Sequence, residues 1–163
     1  SHLASLDPTQ GPVSLPVWLE PGSLRMPPSL AAPLILVGPG TGVAPFRSFL
    51  QEREAHLLAG EAVAPCMLFF GCRNACADYF YKEEFERFAA NGVLMGGVGL
   101  QTAFSRDQPA KRYVQHCIRE RASEVWALLQ VPGSAIYVAG SAQKMPEDVA
   151  AAFRSVAESA GSM

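Results

Sequence analysis

From residue 33 onward, the chain alternates between short apolar runs and longer segments with apolar residues at helical spacing. The runs "PLILVG" (33–38) and "PCMLFFGCR" (65–73) have the length and composition of buried strands. Between them, "APFRSFLQEREAHLLAG" (44–60) has the spacing of a helix and ends in glycine, as helices commonly do. The pattern predicts a strand-then-helix succession that begins at residue 33.

Three further segments extend this succession. "DYFYKEEFERFAANG" (78–92) is predicted to be a helix that begins on an aspartate cap and stops at its Asn-Gly pair. "VLMGGVGLQTAFS" (93–105) is expected to contain a third strand weakened by glycines, and "KRYVQHCIRERASEVWALLQ" (111–130) one long helix or two short ones. Roughly helical spacing in the first of these helices indicates core packing for Phe80, Phe85 and Phe88.

The last unit pairs a fourth strand, "SAIYVAG" (134–140), with a helix, "MPEDVAAAFRSVAESAG" (145–161), whose first turn holds proline and acidic residues. Four successive strand-then-helix units predict an α/β fold with a doubly wound, mostly parallel sheet and helices on both faces. The expected architecture is a three-layer sandwich of the Rossmann-like kind.

Residues 1–32 have a different composition from the rest of the chain. Seven of the thirteen prolines lie in the first 33 residues, and the one strand-like piece is "VSLPVWLE". This segment is expected to be a linker that follows some other structure, and residues 33–163 are expected to form the folded domain.

Composition and charge exclude several classes of function. The 163 residues, 49% hydrophobic and 17% charged, suffice for about one domain, and the net charge of −2 comes without a basic stripe for nucleic acid or a membrane surface. No apolar run approaches the roughly 18 residues of a membrane span, and "SHLASLDP" lacks signal-peptide features. A cytoplasmic location is therefore expected. The four cysteines lack metal-ligand spacing, so neither a metal site nor a disulfide is expected.

The stretch "VGPGTGVAPFR" (37–47) places three glycines between the first strand and its helix. Gly38, Gly40 and Gly42 permit positive φ and remove β-carbons that would keep a diphosphate away, and Thr41 adds a hydroxyl donor. The turn is not a nucleoside-triphosphate loop, because no Lys-Ser/Thr pair follows Gly42, and Val43 replaces the third glycine of the ordinary dinucleotide fingerprint. It is interpreted as a phosphate-binding turn; the alternative is a tight connection with no ligand.

Polar residues follow the ends of the other predicted strands. Arg73 comes just after the second strand, Ser105 and Arg106 after the third, and Gly140 after the fourth. Because parallel strands end at one edge of a sheet, these residues are expected to converge there. The alternative is that each cation is an ordinary solvated charge.

A lysine at the start of a helix is electrostatically out of place unless an anion lies nearby, and Lys111 is in that position. Together with Ser105 and Arg106 it would hold a dianionic phosphate, while Tyr113 offers a flat face for an adenine ring. This combination is expected for the 2′-phosphate of NADP(H).

The motifs "GPGTGVAPFR", "FFGCR", "DYFYKEEF", "AFSRD", "KRYVQH" and "YVAGSAQKMPEDV" occur in the order and at roughly the spacing of a known family. The chain resembles, over residues 13–160, the NADP-binding domain of the ferredoxin–NADP reductase superfamily, in its diflavin branch with cytochrome P450 reductase. Within that branch, "LASLDP" and "LPVWLEPGSLRMP" are most similar to the diflavin reductases that supply electrons to cytosolic iron–sulfur cluster assembly.

The resemblance implies a role for each motif residue. Ala139 and Gly140 would position the nicotinamide, although many relatives have a cysteine in place of Ala139 and an acidic residue in place of Ser141. Cofactor-binding roles are implied for Gly40, Thr41, Gly42, Arg73, Ser105, Arg106, Lys111, Tyr113, Gln115, Met145 and Asp148.

The resemblance also implies an activity for the larger enzyme. A hydride would pass from NADPH to FAD, and electrons would then pass through FMN to a protein acceptor, expected to be an anamorsin-like iron–sulfur protein. FAD and FMN would lie in other domains of the same polypeptide, and residues 1–32 would carry the last strand of the FAD domain. Since the family's C-terminal tail and the flavin domains lie outside this sequence, the chain alone is expected to bind NADP(H) without turnover.

Two other functions are compatible with the same residues. One is the NADPH domain of another diflavin or single-flavin reductase, which its upstream domains would distinguish. The other is a non-catalytic nucleotide-binding module, for which Ala139, Ser141 and the lack of the tail are the supporting features.

Overall fold

A computed structural model of the chain describes Asp7, Thr9 and residues 11–140 and 144–161. The strands are β1 (Leu34–Pro39), β2 (Cys66–Cys72), β3 (Leu100–Phe104) and β4 (Ala135–Val138). They form a parallel sheet in the order β3-β2-β1-β4. Because the chain runs outward from β1 to β2 and β3 and then returns to the other side of β1, the sheet reverses its order there, as in doubly wound folds.

Helices follow each strand, as the sequence predicts. A 3₁₀ turn (Gly40–Val43) joins β1 to the first helix, and the segment at 111–130 forms two short helices rather than one long one. The helices described are α1 (Ala44–Leu58), α2 (Ala75–Asp78), α3 (Lys82–Ala90), α4 (Val114–Glu120), α5 (Ala122–Leu129) and α6 (Met145–Gly161).

The helices form two layers, one on each face of the sheet. Side chains on one face of the strands, including Leu36 and Leu68, pack with phenylalanines of α1 and α3. Side chains on the opposite face, including Val37 and Met67, pack with α4, α5 and α6. Since neighbouring strand residues point to opposite faces, both sides of each central strand must be apolar. The predicted three-layer α/β sandwich is confirmed.

The predicted helix start at Asp78 is wrong. Asp78 is the last residue of α2, and its carboxylate accepts a hydrogen bond from the backbone N–H of Asn74 (3.3 Å). The ring of Tyr79 then stacks on Phe70 of β2 with centroids 5.2 Å apart, which interrupts the helical path. The chain reverses at Tyr81, whose φ of 59° is left-handed, and α3 begins only at Lys82.

The strand-like piece "VSLPVWLE" has no regular secondary structure in this chain. Val17, Trp18 and Leu19 are 87%, 76% and 101% exposed, and no strand of the described residues pairs with them. The expected division at residue 32 stays a prediction. After this piece ends, the Tyr137 hydroxyl donates a hydrogen bond to the carbonyl of Arg25 (2.7 Å), which attaches the chain to β4.

A fully buried arginine anchors the entrances of β1 and β2. Arg53 of α1 donates hydrogen bonds to the carbonyls of Ala32 (2.7 Å) and Ala64 (2.8 Å). These carbonyls precede the two central strands, so one guanidinium ties both connections to the helix that covers them. Along the described residues, no helix combines the length and apolar character needed to cross a bilayer.

Candidate functional site

A cleft of about 840 Å³ opens at the carboxyl edge of the sheet, beside the glycine turn. Most of the predicted site residues line it, so the residues that follow β1, β2 and β3 do meet there. Arg106 and Gly140, which were expected at the same place, do not line it. The lining residues are Pro39, Gly40, Thr41, Gly71, Cys72, Arg73, Asp78, Phe80, Ala103, Ser105, Tyr113, Val114, Gln115, Lys144, Met145 and Asp148.

The glycine turn contributes Gly40 and Thr41 to the wall of this cleft. Gly40 has a φ of 58°, and a β-carbon built on it would have no atom within 4 Å. The turn therefore presents bare backbone to open space in a conformation that glycine adopts most easily. Because the backbone N–H groups that begin a helical turn lack internal acceptors, this wall fits an anion.

Gly42 packs closely against the turn that follows β4. The cofactor-binding role that the resemblance implies for it stays a prediction. Gly42 does not line the cleft, and a β-carbon on it would lie 2.2 Å from the carbonyl oxygen of Ala139 and 2.7 Å from the α-carbon of Gly140. Gly42 thus allows the turn after β4 to pack directly against the turn after β1. The two residues expected to position a nicotinamide, Ala139 and Gly140, are held at this contact. Ser141 lies outside the described residues.

Cations lie in and beside the cleft. Arg73 lines it with Ser105, whereas Arg106 and Lys111 lie on the exposed loop that follows β3 and do not line it. Lys111 precedes α4 by three residues, so the expectation that it starts this helix is wrong; the helix begins at Val114. The residues between Lys111 and Val114 are not helical, and the backbone of Tyr113 is still extended, with φ and ψ of −126° and 168°.

None of these cations is neutralised within the described part of the chain. No carboxylate there forms an ion pair with Arg73, Arg106, Lys111 or Lys144, and all four side chains are exposed. The sequence analysis missed Lys144, which lines the cleft immediately before α6. Its position immediately before a helix was the available signal, since a cation is unfavourable at a helix N-terminus.

A histidine holds Tyr113 at the mouth of the cleft. The backbone N–H of Tyr113 donates to Nδ1 of His116 (3.1 Å), and the N–H of His116 donates to the carbonyl of Tyr113 (3.0 Å). These bonds satisfy donors at the start of α4. The Tyr113 ring is 42% exposed and lines the cleft, as stacking on an adenine requires.

The far wall joins α4 to α6. The side-chain amide of Gln115 donates to a carboxylate oxygen of Asp148 (3.3 Å), and Met145 lines the cleft beside them. A β-carbon on Gly140 would lie only 2.9 Å from the methyl carbon of Met145, so the Met145 side chain packs directly on this glycine. Met145 therefore packs against the turn after β4, while Asp148 is held to α4 by Gln115. The cofactor-binding roles implied for both stay predictions.

Phe80 does not pack in the core. It is 45% exposed and lines the cleft, whereas Phe85 and Phe88 are fully buried, so the core prediction is wrong for Phe80 and confirmed for the other two. The interruption between α2 and α3 turns Phe80 outward, and helical spacing in the sequence cannot reveal that interruption.

The thiol in the cleft is weakly acidic. Burial, followed by the charges of Asp78 and Asp107, raises the pKa of Cys72 to about 11. Cys72 is therefore protonated near neutral pH and is not a nucleophile there. Across the described residues, no group of three or more histidine, cysteine or acidic side chains could hold a metal ion. The features that the described residues do bring together here, a bare glycine turn and exposed cations, suit an anionic ligand.

Comparison with known proteins agrees with this geometry. The family model described as the oxidoreductase NAD-binding domain matches residues 36–151, and the chain belongs to this family. The chain is 53% identical over 159 residues to the NADPH-dependent diflavin oxidoreductase 1 of Arabidopsis thaliana, covering 96% of this chain and 25% of that protein.

Two further relatives give similar coverage. The chain is 45% identical over 163 residues to the NADPH-dependent diflavin oxidoreductase 1 of Bos taurus, covering 100% of the chain and 26% of the relative. It is 40% identical over 149 residues to the NADPH–cytochrome P450 reductase of Musca domestica, covering 91% of the chain and 22% of that enzyme. The chain thus spans about a quarter of the length of the curated relatives it matches.

Proposed function

We propose that this chain is the NADP(H)-binding domain of a diflavin reductase. The observation that carries the proposal is the pairing, across one cleft, of a bare glycine turn with exposed cations that lack carboxylate partners among the described residues. The names of the relatives, two diflavin oxidoreductases and a cytochrome P450 reductase that use NADPH, support the same assignment.

Each wall of the cleft suits one part of this cofactor. Gly40, Thr41 and Gly42 would hold the pyrophosphate with Arg73 near it, because backbone N–H groups and a guanidinium both favour phosphate oxygens. Gln115 would contact the adenosine together with Tyr113, whose ring would stack on the base. Ser105, Arg106 and Lys111 would grip the 2′-phosphate, for which Arg106 and Lys111 must reach from the exposed loop toward Ser105.

The nicotinamide end would lie toward Ala139 and Gly140, where Gly42 and Met145 fix the turn after β4. When bound, NADPH supplies a hydride to FAD, from which electrons pass through FMN to a protein acceptor. The residues of this chain bind and orient the cofactor, and FAD and FMN would lie in other domains of the same polypeptide. Residues 1–32 would connect to the FAD domain.

The acceptor and location belong to the same proposal in finer detail. We propose an anamorsin-like iron–sulfur protein as the acceptor and the cytoplasm as the location. The support is the similarity of "LASLDP" and "LPVWLEPGSLRMP" to the diflavin reductases of iron–sulfur cluster assembly. Neither nucleic acid nor a membrane surface is proposed as a partner, since the net charge is −2.

Calorimetric titration of the 163-residue chain with NADP⁺ and NAD⁺ tests the assignment. Charge-assisted hydrogen bonds stabilise by roughly 1.5–3 kcal/mol each, so loss of two or three should weaken NAD⁺ binding by about 10²- to 10⁴-fold, given incomplete additivity. Equal affinity for the two nucleotides would contradict the 2′-phosphate site.

A further inference from the structure

The loops that carry the cations are joined beyond the ends of β2 and β3. The backbone N–H of Ser105 donates to the carbonyl of Cys72 (2.9 Å), and that of Arg106 donates to the carbonyl of Arg73 (2.9 Å). These bonds join the two loops directly beyond the last paired residues of the strands, Cys72 and Phe104. They fix the backbone of Ser105 and Arg106 but leave the rest of the exposed loop without such support.

The next residue, Asp107, adds a side-chain connection between the same loops. Its Oδ1 accepts a hydrogen bond from the side-chain amide of Asn74 (2.9 Å), and its Oδ2 accepts one from the backbone N–H of Ala75 (2.9 Å). Both carboxylate oxygens are thus engaged by the loop that carries Arg73. Asp107 itself does not line the cleft.

The two loops need such a connection because each presents an exposed cation. Arg73 and Arg106 are held to adjacent positions by their backbones, and like charges at short range repel. The exposed loop after Arg106 has no such backbone bonds, and fraying that began there would break the two backbone bonds and carry Ser105 and Arg106 away from Arg73. The carboxylate of Asp107 opposes that opening through two hydrogen bonds.

We propose that Asp107 is a positioning residue that holds Ser105 and Arg106 in place for a 2′-phosphate and thereby sets the preference for NADP(H). This inference rests on the proposed function. A purely electrostatic role makes the opposite prediction, because removing a carboxylate near the site would strengthen the binding of a dianion. The sign of the change therefore separates positioning from charge.

The test compares the 163-residue chain with its D107A variant by calorimetric titration with adenosine 2′,5′-bisphosphate and with 5′-AMP. The apparent affinity falls with the fraction of molecules whose loop is in the binding conformation. We therefore expect D107A to bind the bisphosphate about tenfold more weakly and to bind 5′-AMP with almost unchanged affinity. E124A is the matched control: it removes an equal charge from α5, which contributes nothing to the cleft among the described residues, and both affinities should stay unchanged.

The outcomes are distinguishable. A wild-type chain that binds the bisphosphate no better than 5′-AMP overturns the proposed 2′-phosphate site and this inference with it. If the wild-type chain prefers the bisphosphate to 5′-AMP and D107A keeps or increases that preference, only the positioning role of Asp107 is overturned. If thermal denaturation shows that D107A is unfolded, N74A and D107N decide by the same criteria. Each variant removes one of the two hydrogen bonds to the residue 107 side chain, so each should weaken binding of the bisphosphate about threefold.

Discussion

Gly42 lies against Ala139 so closely that a β-carbon on the glycine would be 2.2 Å from the alanine carbonyl oxygen. The obstacle is backbone on both sides, so neither turn can accommodate a side chain by rotating a bond. G42A should therefore destabilise the fold by about 2–3 kcal/mol and weaken nucleotide binding, since one turn must shift. Urea unfolding and calorimetry measure the two effects.

G96A is the control for this substitution. Gly96 has no positive φ, and a β-carbon on it would have no atom within 4 Å. A change there should alter stability by less than about 1 kcal/mol and leave binding unchanged. If G42A changed stability and binding no more than G96A does, the inferred close packing of the turns after β1 and β4 would be contradicted.

Arg106 should discriminate between cofactors without taking part in hydride transfer. R106A should weaken NADP⁺ binding about tenfold or somewhat more and leave NAD⁺ binding almost unchanged, because only NADP⁺ has the phosphate that Arg106 would hold. In the complete enzyme, the KM for NADPH should rise while kcat stays within a few-fold, as expected for uniform binding.

R154A is the matched arginine variant, because Arg154 is exposed on α6 and borders a separate groove with Ile136 and Val138. Both nucleotides should bind it as they bind the wild-type chain. Equal losses of NADP⁺ and NAD⁺ affinity in R106A would mean that Arg106 supports the fold rather than the 2′-phosphate.

The cysteines should differ in reactivity toward iodoacetamide. Cys76 is exposed, whereas the pKa of Cys72 is raised from 9.0 to about 11, so at pH 8 its thiolate fraction is about a hundredfold below that of an ordinary thiol. Mass spectrometry at pH 8 should show Cys76 labelled at least tenfold faster. Labelling of Cys72 should continue to accelerate up to about pH 11.

NADP⁺ should slow the labelling of Cys72, which lines the cleft, and leave Cys76 unaffected. Cys76 is the internal control in the same sample. Protection of both thiols or of neither would place the nucleotide elsewhere.

An ion-pair network between α1 and α3 should make stability depend on pH. The guanidinium of Arg47 hydrogen-bonds to Glu84 and lowers the pKa of that carboxyl below 4.5. A lowered pKa stabilises the fold above the unfolded-state value, and that stabilisation is lost as the pH falls through the folded-state value. E84Q should therefore be less stable than the wild-type chain at pH 7, and the difference should shrink below about pH 4.

E86Q serves as the control on the same helix, because Glu86 is 55% exposed and its contact with Lys82 is long, at 3.9 Å. Unfolding free energies of both variants between pH 3 and pH 7 provide the measurement. A difference for E84Q that stays constant over this range would contradict the role of its charge.

The sequence was sufficient to predict the order of elements and the edge that carries the site. Strands such as Leu34–Pro39 are apolar on both faces, and this pattern is local, so it can be recognised without tertiary contacts. The interruption between α2 and α3 was missed because it depends on Tyr79 stacking on Phe70, a contact that helical spacing does not encode.

The site was predictable where a residue type is unusual for its position. Lys111 and the glycines stood out because a cation before a helix and a run of glycines have few structural explanations. Asp107 and His116 could not be recognised from the sequence, because their roles depend on partners that only the fold brings close. The partner of Asp107 is Asn74, and the partner of His116 is the backbone N–H of Tyr113.

The hydrogen bonds from Tyr137 to Arg25 and from Arg53 to Ala32 have a mechanical consequence. They attach residues 25–32 to the sheet and its covering helix at two points, so we expect this stretch to resist bending more than the residues before Arg25 do. If a domain is attached upstream, its movement relative to the sheet would come from bending before Arg25. That position is some nine residues before the first strand, and not beside the cleft.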